Sequence, residues 1–330
     1  MTPAPILTIS GLSVSFATPH GIVRAVDGLD LAIGAGEVLG LVGESGSGKS
    51  VTLRAVLRLL RRNAAITGRI DWRGQELLTA PERRLRDVRG GEIAMIFQEP
   101  MTALNPVLSI GLQIEETLAA HTDLGAAGRR RRAIELLSRV GIASAAARLD
   151  DYPHQFSGGM RQRVMIAIAL AGAPKLLLAD EPTTALDVTI QDQILKLLRE
   201  LAGDLGMAMV LVTHDLGIVA ETCDRVAVMY AGRICEAGPV ASVFAAPRHA
   251  YTLALLRSVP SGGPARQPLD PIPGQPPRAD RPIVGCPFAP RCGFATGACR
   301  TTRPPLEAVT PDRVAACFEA ARLPAWREAA

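Results

Sequence analysis

The chain has 330 residues, 48% of them hydrophobic, with 36 basic side chains against 32 acidic ones. That length and apolar content suit one large folded domain with an appendage and exclude a disordered chain. A formal charge of +4 falls far short of the dense basic face of a dedicated nucleic-acid binder.

Residues 1–9 show no basic region followed by an apolar core, so no secretory signal is expected. The longest apolar stretch, 164–179, is broken by Gly172, Pro174 and Lys175. It falls short of the roughly 20 apolar residues that a membrane span needs. The expected compartment is the cytoplasm, where clustered cysteines point to a metal site before they point to disulfides.

The first predicted strand, 37–42, runs into Gly43-Glu44-Ser45-Gly46-Ser47-Gly48-Lys49-Ser50. This matches the phosphate-loop pattern G-x-x-x-x-G-K-[ST], between a strand and an apolar helix as the pattern requires. Glycines let successive N–H groups turn inward on phosphate oxygens, and the helix that follows adds its positive dipole end. Lys49 is expected to reach the β and γ phosphates and Ser50 to offer its hydroxyl to Mg²⁺. The expected chemistry is therefore ATP binding and hydrolysis.

A strand at 93–97 is followed by residues 99–171, in which helical patterns dominate, among them 129–140 and 160–170. An inserted helical subdomain is expected there, with Arg129, Arg130, Arg131 and Arg132 on a solvated face. The next strand, 176–179, ends in Asp180 and Glu181. Carboxylates at a strand's C-terminal end stand where a doubly wound sheet presents its ligand. Asp180 is expected to hold Mg²⁺, and Glu181 to orient or deprotonate the attacking water. Ile194, Leu195, Leu197, Leu198, Leu201 and Leu205 recur at helical spacing within 192–205. Strands at 207–212 and 226–229 complete an α/β reading with a largely parallel sheet.

Residues 259–285 are dense in Pro and Gly and read as a linker. Beyond them Cys286, Cys292, Cys299 and Cys317 follow with gaps of five, six and seventeen residues. Four thiolates suit a 4Fe–4S cluster or Zn²⁺. Short C-x₂₋₄-C knuckles are missing, which favours the cluster, with Zn²⁺ as the alternative. Cys223 and Cys235 read as buried packing residues.

Phe156-Ser157-Gly158-Gly159-Met160-Arg161-Gln162-Arg163 resembles the signature motif of ATP-binding cassette (ABC) ATPases, with Met160 where glutamine is common. The resemblance implies a RecA-like P-loop NTPase cassette. Its core would comprise 1–98 and 172–258, its helical subdomain 99–171, followed by the linker 259–285 and a small cysteine-rich C-terminal module, 286–330. It also implies a head-to-tail dimer, in which Ser157, Gly158, Gly159 and Asp187 act in trans on the partner's ATP. Gln98 looks like the Q-loop glutamine, a Mg²⁺ contact and catalytic group. Ala185-Leu186-Asp187 looks like the D-loop, preceded by Thr184 where serine is usual, and His214 looks like the switch histidine at the γ-phosphate. The family stacks an aromatic ring on adenine; Phe16 is the candidate, with His20 as the alternative.

Finer motifs point to one branch. Gln98-Glu99-Pro100-Met101-Thr102-Ala103-Leu104-Asn105-Pro106, His249-Ala250-Tyr251-Thr252 and Gly285-Cys286-Pro287-Phe288-Ala289-Pro290-Arg291-Cys292 resemble the dipeptide and oligopeptide importers. That resemblance implies an ATPase peripheral to the cytoplasmic face of the inner membrane. Its implied partners are a second, related ATPase, two permease subunits and an extracytoplasmic binding protein, with no nucleic acid. Import of nickel or another small solute stays open, because the cassette never touches the solute. A soluble, non-transport ABC ATPase would carry two cassettes or a long coiled coil, and neither is visible.

Overall fold

The computed structural model describes residues 4–98, 103–184, 186–258 and 271–325. The readings placed on Glu99, Pro100, Met101, Thr102 and Ala185, and those within 259–270, lie outside the described residues. The chain forms two compact units, each assembled from separate segments.

One unit comprises Ile6–Ile33, Leu39–Leu78 and Thr213–Ala330. It contains an antiparallel sheet in the order β2-β1-β4-β5, formed by β1 (Leu7–Thr18), β2 (Gly21–Ile33), β4 (Ala64–Trp72) and β5 (Gln75–Glu76). Leu7, Ile9, Leu12, Val14, Ile70 and Trp72 turn inward and are buried. The inward alternation slips by one residue at Gly11, where the register shifts between Ile9 and Leu12. Gly11 has a φ of +57° and donates its N–H to Asp30 Oδ1 at 2.7 Å, which pins the bulge.

The same unit carries β3 (Val38–Val42), β9 (Arg225–Tyr230), β10 (Arg233–Pro239), β11 (Glu307–Thr310) and β12 (Arg313–Ala315), in the order β11-β12-β10-β9-β3. β3 and β9 are parallel, whereas β9, β10, β12 and β11 pair antiparallel. A two-residue turn joins β9 to β10, with Ala231 and Gly232 both at positive φ, as this tight hairpin geometry demands. The terminal hairpin is fastened to β10 by a buried ion pair. Glu236, with no exposed surface, accepts from Arg313 Nη2 at 2.5 Å and from the N–H groups of Arg248 and His249 at 2.8 and 3.0 Å.

The other unit comprises Met1–Pro5, Gly34–Val38 and Thr79–Val212. Its strands β6 (Ile93–Ile96), β7 (Leu176–Asp180) and β8 (Ala208–Thr213) are parallel, with β7 in the middle. Every residue of β7 and β8 is buried, and the strands read as apolar runs up to their last residues, Asp180 and Thr213. Helices Ile110–His121, Ala126–Arg139 and Gly158–Leu170 pack on one another through Ile114, Leu118, Leu136, Leu137 and Val164. Helix Val188–Leu205 begins on Asp187, whose Oδ1 accepts the Ile190 N–H at 3.1 Å.

The five predicted strands recur within a residue or two at each end. The expected parallel pairing holds among these five strands, and the antiparallel strands are additional ones. Parallel pairing holds for β6, β7 and β8 and for β3 with β9, while β1, β2, β4 and β5 and the strands beyond β9 are antiparallel. Residues 271–285 carry neither helix nor strand. Arg130 and Arg131 are exposed, and Arg130 and Arg132 pair with Asp150 and Glu135, which makes this run the solvated face expected.

Candidate functional site

The phosphate loop leaves β3 and enters helix Lys49–Val56 through Gly48. Gly43 and Gly48 have φ values of +150° and +106°. A Cβ on Gly43 would strike the Met229 carbonyl oxygen, and one on Gly48 the Ala25 carbonyl oxygen, so both positions need glycine for conformation and for space. Lys49 is 5% exposed, and its Nζ donates to the Gly43 and Glu44 carbonyls at 2.7 and 3.0 Å and to Ser47 Oγ at 3.4 Å. The ammonium is thus held over the inside of its own loop. Ser50 lies one residue into the helix, and Ser45 and Gly46 are exposed at the tip.

His214 is exposed directly after β8, and Asp215 beside it caps helix Leu216–Thr222. Phe16 is half-buried on β1 opposite Val23, while His20 is exposed in the turn from Thr18 to Gly21. A cavity of about 240 Å³ adjoins Glu44, Ser45 and Ser47, with Arg24, Ala25 and Arg303 among its other walls. Neither Phe16 nor His20 lines it.

In the other unit, the C-terminal ends of β6 and β7 bring Gln98 and Glu181 together, with Gln98 Nε2 donating to Glu181 Oε2 at 2.9 Å. Thr184 Oγ1 donates to the same oxygen at 3.0 Å. Glu181 has a φ of +46°, a left-handed backbone rare for a residue with a Cβ, and its N–H donates to the Val212 carbonyl at 3.1 Å. Strain of this kind persists only where the surroundings impose it, and here it aims the carboxylate at Gln98. Asp180, at the end of β7, has no exposed surface.

Ser157 caps helix Gly158–Leu170, its Oγ accepting the Met160 N–H at 3.4 Å. Ser157 and Gly158 are exposed at this helix N-terminus, where unpaired N–H groups and the dipole favour an anion. A Cβ on Gly159 would press Ile190 Cγ2 at 2.7 Å, so the signature turn packs on the helix that Asp187 begins.

The four C-terminal cysteines line one small cavity of about 10 Å³, with Phe288, Phe294 and Phe318. Burial pushes the Cys317 thiol up to about 11 and raises Cys286 and Cys292 above the ordinary thiol value. Among the described residues, no group of three or more His, Cys, Asp or Glu side chains is arranged to hold a metal ion. Cys223 and Cys235 are 9% and 5% exposed, buried as expected.

The profile of the family described as ABC transporter matches residues 26–184, and that of the oligopeptide/dipeptide transporter C-terminal region matches residues 235–299. The oligopeptide transport ATP-binding protein OppD of Salmonella typhimurium is 49% identical over 314 residues, covering 95% of this chain and 93% of that one. The chain belongs to the ATP-binding proteins of the oligopeptide/dipeptide ABC transporters.

The cassette is thus an ABC-type ATPase. Among solved structures, a dimeric post-hydrolysis cassette, MJ0796 bound to ADP and Pi, is 28% identical with a TM-score of 0.64, covering 71% of this chain and 98% of that one. CbiO1 of Clostridium perfringens, part of an ABC transporter complex, is 31% identical with a TM-score of 0.63, covering 73% of this chain and 91% of its own. Both leave more than a quarter of this chain unmatched.

Two contacts at the phosphate loop escape a motif-by-motif reading. Glu44 N–H donates to Tyr251 Oη at 2.7 Å, and the Glu44 carboxylate pairs with Arg291 at 2.7 and 2.9 Å. Tyr251 and Arg291 stand inside the two C-terminal motifs that mark the peptide-importer branch, so the signal for them was present without its meaning. Thr184 is a further case: the departure from serine keeps the hydroxyl that contacts Glu181.

Proposed function

We propose that this ATPase energises the import of dipeptides or oligopeptides through a separate permease, with Glu181 as the base that activates water. The observation that carries the catalytic reading is the Gln98–Glu181–Thr184 constellation at the end of β7, where two neighbouring groups orient the carboxylate and its backbone is held off the usual regions. The peptide branch rests on the C-terminal match and on OppD.

In this reading Gly43, Glu44, Ser45, Gly46, Ser47 and Gly48 form the loop that wraps the phosphates, the Glu44 N–H itself being held by Tyr251 Oη, while Lys49 and His214 contact the terminal phosphate. Ser50, Gln98 and Asp180 supply hydroxyl, carboxamide and carboxylate oxygens, a hard donor set that fits Mg²⁺. The metal would neutralise charge on the β and γ phosphates. Phe16 is assigned to adenine. Ser157, Gly158, Gly159 and Asp187 complete the site of a second cassette in trans, a reading supported by the dimeric state of MJ0796. The domain plan is a core of 1–98 and 172–258 with 99–171 as the helical subdomain that receives the permease. Partners are a related second ATPase, two permease subunits and an extracytoplasmic binding protein, with the assembly at the cytoplasmic face of the inner membrane.

The module 286–330 is assigned a 4Fe–4S cluster held by Cys286, Cys292, Cys299 and Cys317. Four thiols on one phenylalanine-lined cavity are the donor set for tetrahedral sulfur ligation, and the thiols must draw together and lose their protons on binding. Protein purified without air should be brown and contain iron and acid-labile sulfide. A colourless protein carrying zinc would replace the cluster with Zn²⁺.

The catalytic reading is tested in the assembled importer with Glu181→Gln. ATP binding should persist while phosphate release and peptide uptake fall by about 100-fold or more, as loss of a general base predicts. Uptake at the normal rate would remove Glu181 from the mechanism.

A further inference from the structure

Glu44, the second residue of the phosphate loop, is an anion placed beside a site for polyanions. Its carboxylate is met by Arg291: Nη1 donates to Oε2 at 2.7 Å and Nη2 to Oε1 at 2.9 Å, a two-pronged pair. Arg291 is itself immobilised. Its side chain is 5% exposed, its Nε donates to the Pro273 carbonyl at 2.8 Å, and Nη1 also donates to Tyr230 Oη at 3.2 Å. The guanidinium lies over the rings of Tyr230 and Phe288, at 5.8 and 5.9 Å from their centroids. Tyr251, which takes the Glu44 N–H, packs against both rings at 4.5 and 5.3 Å. Side chain and backbone of Glu44 are therefore both fixed from one aromatic cluster.

Arg291 ends the short turn Ala289–Arg291 and is followed at once by Cys292. The cysteine-bearing segment is thus bonded directly into the phosphate loop. We propose that Arg291 is a positioning residue for ATP binding: it neutralises Glu44 and keeps its carboxylate turned from the phosphates, so the cysteine-bearing segment sets the cassette's ATP affinity. The inference rests on residues 43–50 being the ATP site, and it is independent of what the cysteines hold. A released Glu44 carboxylate would repel the phosphate charges from within the loop. Lysine could supply the charge but not both prongs, so it should restore only part of the function.

The test is equilibrium ATP binding to the purified full chain, with KM and kcat measured in the assembled importer and thermal unfolding as the folding control. Arg291→Gln should weaken ATP binding about tenfold and raise KM alike, with kcat at saturating ATP within about twofold of wild type. Adding Glu44→Gln to Arg291→Gln should recover most of the loss, because it removes the anion that Arg291 holds; a merely structural role for Arg291 would give no such rescue. Arg291→Lys should fall between. A folded Arg291→Gln that binds ATP like wild type, or a double variant that binds no more tightly than the single, would overturn the proposal. If Arg291→Gln does not fold, Arg291→Lys decides, and wild-type affinity there overturns it. Lys49→Ala separates the two readings: retained ATP binding in that variant overturns the ATP site itself, whereas lost binding there with wild-type affinity in Arg291→Gln overturns only the role of Arg291.

Discussion

Thr184 illustrates how a single hydroxyl can orient the carboxylate proposed as the base. Its Oγ1 and Gln98 Nε2 converge on one oxygen of Glu181, at 3.0 and 2.9 Å. Removing one of two orienting bonds should loosen the carboxylate without altering nucleotide affinity. Thr184→Val is expected to lower kcat by about three- to tenfold with KM for ATP unchanged, and Thr184→Ser to act like wild type. Steady-state phosphate release in the assembled transporter checks this; a rise in KM at constant kcat would show that the hydroxyl serves binding instead. At this scale the sequence is strongest where chemistry constrains several positions at once. The glycines, Lys49 and Ser50 were legible because only those residue types can make a phosphate loop. Tyr251 and Arg291 were not, since nothing in a linear pattern says that residues more than 200 positions away reach Glu44.

Among the elements, the buried parallel strands announced themselves. β7 and β8 are covered on both faces, so every position before the closing Asp180 and Thr213 is apolar and the run stands out. β1 and β2 are longer yet were missed. Their inward positions alternate with polar ones, and the bulge at Gly11 breaks the alternation midway. β11 is exposed at every position and exists only through its pairing with β12, so it leaves no periodic trace. That terminal hairpin depends on Arg313, whose guanidinium meets the fully buried Glu236 and also donates to the Ser242 and Ala246 carbonyls. Arg313→Ala would strand a buried carboxylate. The expected cost is about 3 to 5 kcal/mol in chemical denaturation of the full chain, and a loss under 1 kcal/mol would mean that the pair does not anchor the hairpin.

On the scale of the whole molecule, no described helix is long and apolar enough to cross a membrane. The chain carries a phosphate loop with Lys49 in one unit and Gln98, Glu181 and the signature turn at Ser157 in the other. Both the phosphate loop and the Ser157 turn open onto helix N-termini, whose dipoles favour an anion. One chain offering two such anion sites is economically explained if the second serves another cassette. Hydrolysis should then require two chains, whereas ATP binding needs only one. The direct measurement is phosphate release per chain as protein concentration rises, with the oligomeric state followed by sedimentation. The account predicts ATP-bound monomers with slow turnover at low concentration, and turnover that climbs as dimers form or as the related second ATPase is added. Full turnover by a chain that stays monomeric at every concentration would contradict it.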